Sequence, residues 1–104
     1  MNDFFDLSVF SHPEFGNFRI VIYPGREPLF VGRDVATALG YRNSCSALAR
    51  HVDPADRVSQ QITALGQRRH MTLINESGLY SLALSSRLEG AMRFRHWVTS
   101  VVLP

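Results

Sequence analysis

The sequence predicts a single α+β domain in which small antiparallel β-hairpins pack against about four short helices. Phe18, Ile20 and Ile22 alternate with Arg19, Val21 and Tyr23 directly before a Pro-Gly turn, a period of two that is typical of a strand that enters a hairpin. Helical spacing (i, i+3, i+4, i+7) relates four apolar residues near the C-terminus, Phe94, Trp97, Val98 and Val101, and predicts an amphipathic helix. A chain of 104 residues accommodates one domain with one modest core.

The N-terminal third predicts a lead-in segment followed by a hairpin. Residues 1–15 form an apolar lead-in that Pro13 interrupts, and we expect an arm or an edge strand because proline cannot donate a ladder hydrogen bond. The following hairpin has its first strand at 18–23, its tight turn at 24–27 and its second strand at 28–31.

A pair of short helices is predicted next, within residues 29–52. Asp34 stands where an N-cap belongs, and Gly40 ends the first helix because glycine adopts a left-handed conformation without steric cost. Asn43 or Ser44 can cap the second helix. Its buried side is predicted to carry Cys45, Leu48, Ala49 and Val52. This layout is that of a helix-turn-helix, whose second helix can lie in the DNA major groove, although a helical hairpin that never enters a groove has the same local pattern.

The rest of the chain predicts a second hairpin and two further helices. Strands are expected at 58–62 and 69–74, with the loop at 64–67. Asn75 can cap a third helix, and the last helix begins near Gly90. The apolar faces of all these elements predict the core residues Phe18, Ile20, Val35, Leu39, Leu48, Leu79, Leu82, Phe94, Trp97 and Val98.

Composition and motifs exclude several functional classes. The single cysteine, Cys45, forms no internal disulfide and is predicted to be a buried structural thiol. The four histidines lack partners at metal-ligand spacing, and neither a glycine-rich phosphate loop nor a G-x-S-x-G elbow occurs. We therefore expect no enzyme, no metal and no cofactor. No apolar run approaches membrane-spanning length and the N-terminus is acidic, so we expect a cytoplasmic protein without a membrane partner.

All 11 basic residues are arginine, and the net charge is +2. Genome bias is one explanation for the absence of lysine. Arginine also suits phosphate and guanine contacts through its bidentate fork. The sequence pI of about 9.2 fits a nucleic-acid partner but does not establish one.

Several short segments in a fixed order carry a resemblance to a known family. They are Phe30-Val31, Asp34-Val35-Ala36, Ala38-Leu39-Gly40-Tyr41, Asn43, Ala47-Leu48, His51-Val52, Asn75-Glu76-Ser77-Gly78-Leu79-Tyr80, Phe94, Trp97-Val98 and Val102-Leu103-Pro104. From about Phe18 onward the chain resembles the Bro family N-terminal domain, which also occurs in prophage antirepressors. The resemblance implies double-stranded DNA binding in viral or prophage regulation, here in a bacterial host, and carries over no catalytic residues. It also implies that residues 1–104 are the N-terminal module of a longer protein.

The resulting hypothesis is a non-enzymatic DNA-binding module of a phage-type transcriptional regulator. Six residues are predicted to face the groove: Arg42, Asn43, Ser44, Ser46, Ala47 and Arg50, with Asn43 or Arg50 reading bases. Three are predicted at phosphates: Arg33, Arg68 and Arg69. A homodimer is expected to extend the site, because one copy reads few base pairs.

The alternative hypothesis is a protein-interaction or dimerisation domain that acts on a phage repressor protein. It predicts an exposed apolar patch where the DNA hypothesis predicts a continuous arginine face.

Overall fold

The computed structural model describes residues 6–13, 16–64, 66–86 and 90–102. Its strands are β1 (Asp6–His12), β2 (Gly16–Ile22), β3 (Leu29–Val31), β4 (Arg57–Ala64) and β5 (Gln67–Ile74). Its helices are α1 (Gly32–Ala38), α2 (Ser44–His51), α3 (Glu76–Ser85) and α4 (Gly90–Trp97). A 3₁₀ turn at Pro54–Asp56 precedes β4, and a π-helical turn at Val98–Val102 continues α4. The predicted α+β class is confirmed.

The two predicted hairpins join in one antiparallel sheet with strand order β1-β2-β3-β5-β4. The lead-in supplies β1 as an edge strand, whereas the parts of that prediction on residues 1–5, 14 and 15 lie outside the described residues. β3 is only three residues long, and Phe30 pairs with Ile20 on one side and Ile74 on the other. Beyond β3, both β2 and β5 continue toward their hairpin tips at the same end of the sheet.

The main core lies between the sheet and the helices. The sheet contributes Phe18, Ile20, Phe30 and Ile74, which are all at most 2% exposed. Phe18 stands at the centre of an aromatic group, with its ring centroid 5.6 Å from that of Phe94 and 5.4 Å from that of Trp97. Nine of the ten predicted core residues are buried, and Trp97 packs against the cluster while partly exposed.

A second buried cluster lies on the other face of the sheet. It comprises Val21, Val31, Ile62 and Leu73, each at most 1% exposed. Three of them, Val21, Val31 and Leu73, are sequence neighbours of main-core residues, so adjacent side chains point to opposite faces and both faces are buried there. The strict alternation that the sequence predicts for 18–23 therefore fails at Ile22, which is 38% exposed.

The connection between α1 and α2 follows the predicted glycine turn but is longer than that of a tight helix-turn-helix. Gly40 has φ +86°, its N–H donates to the Thr37 carbonyl, and the Tyr41 N–H donates to the Ala36 carbonyl. This is the Schellman arrangement that ends helices at glycine. Five residues, 39–43, separate the helices, against the 3–4-residue turn of the DNA-binding motif, so the structure does not confirm a helix-turn-helix.

Three local predictions were wrong. Asp34 does not cap α1, because Val31 is the N-cap residue and Asp34 lies in the first turn. Cys45 and Ala49 are exposed on α2 rather than buried, and the buried side of that helix carries Ala47 and Leu48. Val101 is 59% exposed, because the π-helical turn after Trp97 changes the winding and rotates it off the apolar stripe.

Candidate nucleic-acid interface

The arginines predicted to bind DNA lie on or beside two segments without acidic residues. Residues 35–52 and 57–75 contain no Asp or Glu. Between them these segments carry Arg42, Arg50, Arg57, Arg68 and Arg69, and all but the half-buried Arg57 are exposed. The long runs without carboxylates make the surface of α2, its preceding turn and the β4–β5 hairpin a candidate for polyanion binding.

A cleft lies between the two hairpins where β3 ends. It consists of two adjoining depressions of about 230 and 460 Å³, and both are lined by Arg19, Arg33 and Arg69. We call this feature the inter-hairpin cleft. Its β2 wall includes Asn17, and its β5 wall includes His70.

The base of the inter-hairpin cleft is closely packed around Gly32, the first residue of α1. A Cβ added at Gly32 would lie 2.8 Å from Cδ2 of Leu48 and 3.2 Å from the carbonyl oxygen of Thr72. Only glycine therefore fits here without displacement of its neighbours. These contacts pack the start of α1 against α2 and β5, and Ser44 at the start of α2 contributes to the lining of the cleft.

Arg19 and Asp34 form an ion pair within the cleft. Asp34 Oδ2 accepts from Arg19 Nε at 2.7 Å and from the Arg19 backbone N–H at 2.9 Å, while Oδ1 accepts from Nη2 at 2.9 Å. The side-chain hydrogen bond to Asp34 is the main cause that raises the pKa of the Arg19 guanidinium, and partial burial opposes it. The pair neutralises the only carboxylate that lines the described cleft.

The other arginines of the surface keep their charge available. Arg69 donates from Nε and Nη2 to the neutral Oε1 of Gln67 at 3.2 and 2.9 Å, which orients the guanidinium without neutralising it. Within the described parts of the chain, no ion pair involves Arg33, Arg42, Arg50 or Arg68.

A second concave surface, the α2 groove, lies on the other side of the α1–α2 connection. It measures about 640 Å³, and its lining includes Tyr41, Arg42, Arg50 and His51. The Tyr41 hydroxyl donates to the Leu82 carbonyl at 2.8 Å, and its ring centroid lies 5.6 Å from that of His51. Burial raises the pKa of the Tyr41 hydroxyl. Tyr41 thus anchors the connection to α3 and holds Arg42 and Arg50 at the rim of one groove.

The nine predicted site residues fall into three groups. Arg33, Ser44 and Arg69 meet in the inter-hairpin cleft, whereas Arg42 and Arg50 meet in the α2 groove. The remaining four have other placements: Arg68 is exposed on β5, Asn43 and Ser46 are exposed at the start of α2, and Ala47 is buried.

Two of the predicted site residues, Ala47 and Asn43, have structural roles in α2. Ala47 is 4% exposed and belongs to the main core, so the prediction that it faces a DNA groove was wrong. Asn43 caps α2 as expected, since its Oδ1 accepts from the Ser46 backbone N–H at 3.0 Å. This hydrogen bond holds the Asn43 side chain against the first turn of α2, so in a bidentate contact to adenine Oδ1 would have to accept from the base and from the Ser46 N–H together.

Sequence reasoning missed the contribution of β2 to this surface. Asn17 and Arg19 lie in a strand whose pattern predicts only core packing, and no local signal relates Arg19 to Asp34. His70 was also not selected, although it follows Arg68-Arg69 directly.

The described residues contain no group of three or more His, Cys, Asp or Glu side chains arranged to hold a metal ion. Among the described helices, none combines the length and apolarity that crossing a bilayer requires.

The chain matches the family model for the BRO family N-terminal domain over residues 17–104. It is 37% identical over 86 residues to a Haemophilus influenzae protein whose name states no function, covering 83% of this chain and 43% of that protein. It is 36% identical over 95 residues to the putative Bro-N domain-containing protein 289L of Invertebrate iridescent virus 6, covering 74% of this chain and 23% of the viral protein.

A further relative is the Bro-N domain-containing protein ORF2 of Autographa californica nuclear polyhedrosis virus, 27% identical over 104 residues, with 85% of this chain and 32% of that protein covered. The chain thus spans less than half the length of each of these curated relatives. No solved structure matches it. With the family model matched over most of its length, the chain belongs to the BRO family and consists largely of its N-terminal domain.

Proposed function

We propose that this domain binds double-stranded DNA as part of a phage-type or viral transcriptional regulator. The observation that carries the proposal is the surface formed by the two segments without acidic residues. On it, Arg42, Arg50, Arg68 and Arg69 are exposed and free of ion pairs within the described chain, and the exposed Arg33 lies beside it at the start of α1. Arginines without a carboxylate partner supply the electrostatic attraction to phosphates that dominates protein–DNA affinity.

The exposed side of α2 is suited to the major groove. It is an eight-residue α-helix, and the diameter of an α-helix with its side chains, about 10–12 Å, matches the width of about 12 Å of that groove. Arg50 is the best candidate for reading a base, because its guanidinium is free for a bidentate contact to guanine. Asn43 stabilises the start of the helix, and Ser44 and Ser46 are placed to contact the backbone beside it.

Binding to random duplex DNA across a salt series tests the proposal. We expect affinity that falls steeply as salt is raised and recovers when salt is removed. Arg50→Ala should weaken binding to the preferred site by roughly 1–3 kcal/mol. Arg26→Ala is the matched control, since Arg26 is exposed in the β2–β3 turn at the opposite end of the sheet from the cleft. Absence of binding by the parent domain at low salt would overturn the proposal.

A protein-interaction function is the second candidate, favoured by two apolar side chains on helices that contact each other. Leu84 of α3 is 73% exposed and Met92 of α4 is 79% exposed. A repressor or a second copy of the chain could cover them. In that case Leu84→Ser should abolish association, as measured by light scattering or pull-down with the repressor, while Arg50→Ala leaves it intact.

A further inference from the structure

We infer that the inter-hairpin cleft holds the sugar-phosphate backbone of one DNA strand, so that the β1–β2 hairpin is part of the DNA interface. The inference rests on the proposed function and adds a binding site to it. The sequence pattern points to Arg33, to α2 with its preceding turn and to the second hairpin, whereas the cleft adds Asn17 and Arg19 from β2.

The short β3 strand creates the space for a backbone. At the level of Phe30 all five strands lie side by side, but beyond Val31 no strand separates β2 from β5. The chain turns there into α1, which leaves the two hairpins as opposite walls with α1 between them. The two depressions that result share Arg19, Arg33 and Arg69 in their linings, so successive phosphates of one strand could contact the same arginines from both.

The charges of the cleft favour a polyanion. Arg33 and Arg69 present guanidinium groups from α1 and β5 that form no ion pair within the described residues. Asp34, the carboxylate of the cleft, is engaged by three donors of Arg19 and is 15% exposed. Asn17 adds a neutral amide on the β2 wall, and His70 adds an exposed imidazole on the β5 wall. Hydrogen-bond donors thus line the cleft from β2, α1 and β5. Several phosphate contacts of this kind can fix the position of a protein on a duplex.

The decisive variant is Asn17→Asp, which adds one negative charge to the β2 wall with almost no change of shape. Asn17 is exposed, so we expect the fold to be retained, with thermal unfolding as the check. Binding to random duplex DNA at low salt should weaken, by roughly 3- to 10-fold for one added repulsive charge near a phosphate. Ser77→Asp is the control, because it adds the same charge at an exposed position in the first turn of α3, at the opposite end of β5 from the tip.

The salt dependence of Arg33→Ala and Arg69→Ala provides a second readout. Each lost phosphate contact should lower the slope of log affinity against log salt by about 0.9, and Arg26→Ala should leave the slope unchanged. A mononucleotide should compete only weakly, since the site is built for a run of phosphates.

The possible outcomes separate the two proposals. If Arg50→Ala weakens binding but the Asn17 and Arg69 variants behave like their controls, the cleft inference is wrong and the DNA-binding proposal stands. Tight mononucleotide binding that the cleft variants abolish, with duplex binding unaffected by them, would also overturn the inference. If the parent domain binds no duplex at low salt, both proposals fail.

Discussion

The two faces of the sheet bury their residues in different ways. On the helix-covered face, Phe18, Phe30 and their neighbours pack against side chains from all four helices. On the outer face, Val21, Val31, Ile62 and Leu73 reach the same degree of burial among partly exposed neighbours, which include Leu7, Tyr23 and Met71. Equal exposure therefore does not mean equal packing. The helix-covered face contributes most of the buried apolar core. The outer face is a smaller cluster, and we expect its partly exposed neighbours to rearrange more easily.

The largest expected effect is that of Phe18→Ala on the helix-covered face. Phe18 is fully buried and contacts the rings of Phe10, Phe30, Phe94 and Trp97. Removal of the ring should lower the free energy of unfolding by about 3–5 kcal/mol, a large part of the total for a domain of this size. Urea denaturation is the measurement. Phe18→Leu, which keeps most of the volume, should lose clearly less, and equal losses would contradict this account of the aromatic group.

Substitution of one fully buried leucine in each cluster compares the packing of the two faces directly. Leu79 and Leu73 are both 0% exposed, the first in the main core and the second in the outer cluster. Leu79→Ala should cost about 3–4 kcal/mol of unfolding free energy and Leu73→Ala about 2, because the cost depends on how far the surroundings collapse into the cavity. Urea denaturation of the two variants and the parent protein measures both losses of unfolding free energy. A greater loss at Leu73 would show that the outer cluster is the more rigid of the two.

A smaller effect is expected where Arg19 joins β2 to α1. Asp34→Ala removes all three acceptor contacts and should cost roughly 1–3 kcal/mol, since charge-assisted bidentate pairs exceed ordinary hydrogen bonds. Solvent screens part of this interaction, because 31% of the Arg19 side chain is exposed. Asp34→Asn keeps one oxygen for the Arg19 backbone N–H and should lose less. Equal losses for the two variants would mean that the charge alone is responsible.

The smallest effect concerns the turn that places α1 and α2 over the covered face. Gly40 has φ +86°, where a Cβ costs about 1–2 kcal/mol. Gly40→Ala should lower the unfolding free energy by that amount without changing the denaturant dependence, because the compactness of both states is preserved. Gly25→Ala, also at positive φ but in the β2–β3 turn, should have a similar cost. A neutral Gly40→Ala would show that the connection adopts another conformation.

The covered face could be predicted from the sequence because its residues recur at helical or strand spacing. Val35, Leu39, Leu79, Leu82, and Phe94 are all buried as predicted. The outer cluster could not be predicted in this way. Val21 follows the buried Ile20 and Leu73 precedes the buried Ile74, and a strand that is buried on both faces shows no alternation of apolar and polar residues.

The candidate site was predictable only in part, for similar reasons. Local capping rules located Asn43 correctly. The same rules assigned Asp34 to a cap, although its partner Arg19 lies 15 residues earlier in the chain and is brought near by the sheet. The burial of Ala47 and the exposure of Cys45 depend on the rotation of α2 about its axis, which a segment of eight residues with few large apolar side chains does not determine.

The brevity of β3 has a dynamic consequence. Past Val31 each hairpin is a two-stranded ribbon without a third strand to share its ladder, as in the pairing of Gln61 with His70, and such ribbons are marginal by themselves. Amide hydrogens there should exchange with solvent through local opening, far faster than those at the level of Phe30, which exchange only through global unfolding. A ribbon that opens and closes readily can adjust to the curvature of a bound duplex while the core stays fixed, and a ligand held between the two hairpins should slow the exchange of both at once.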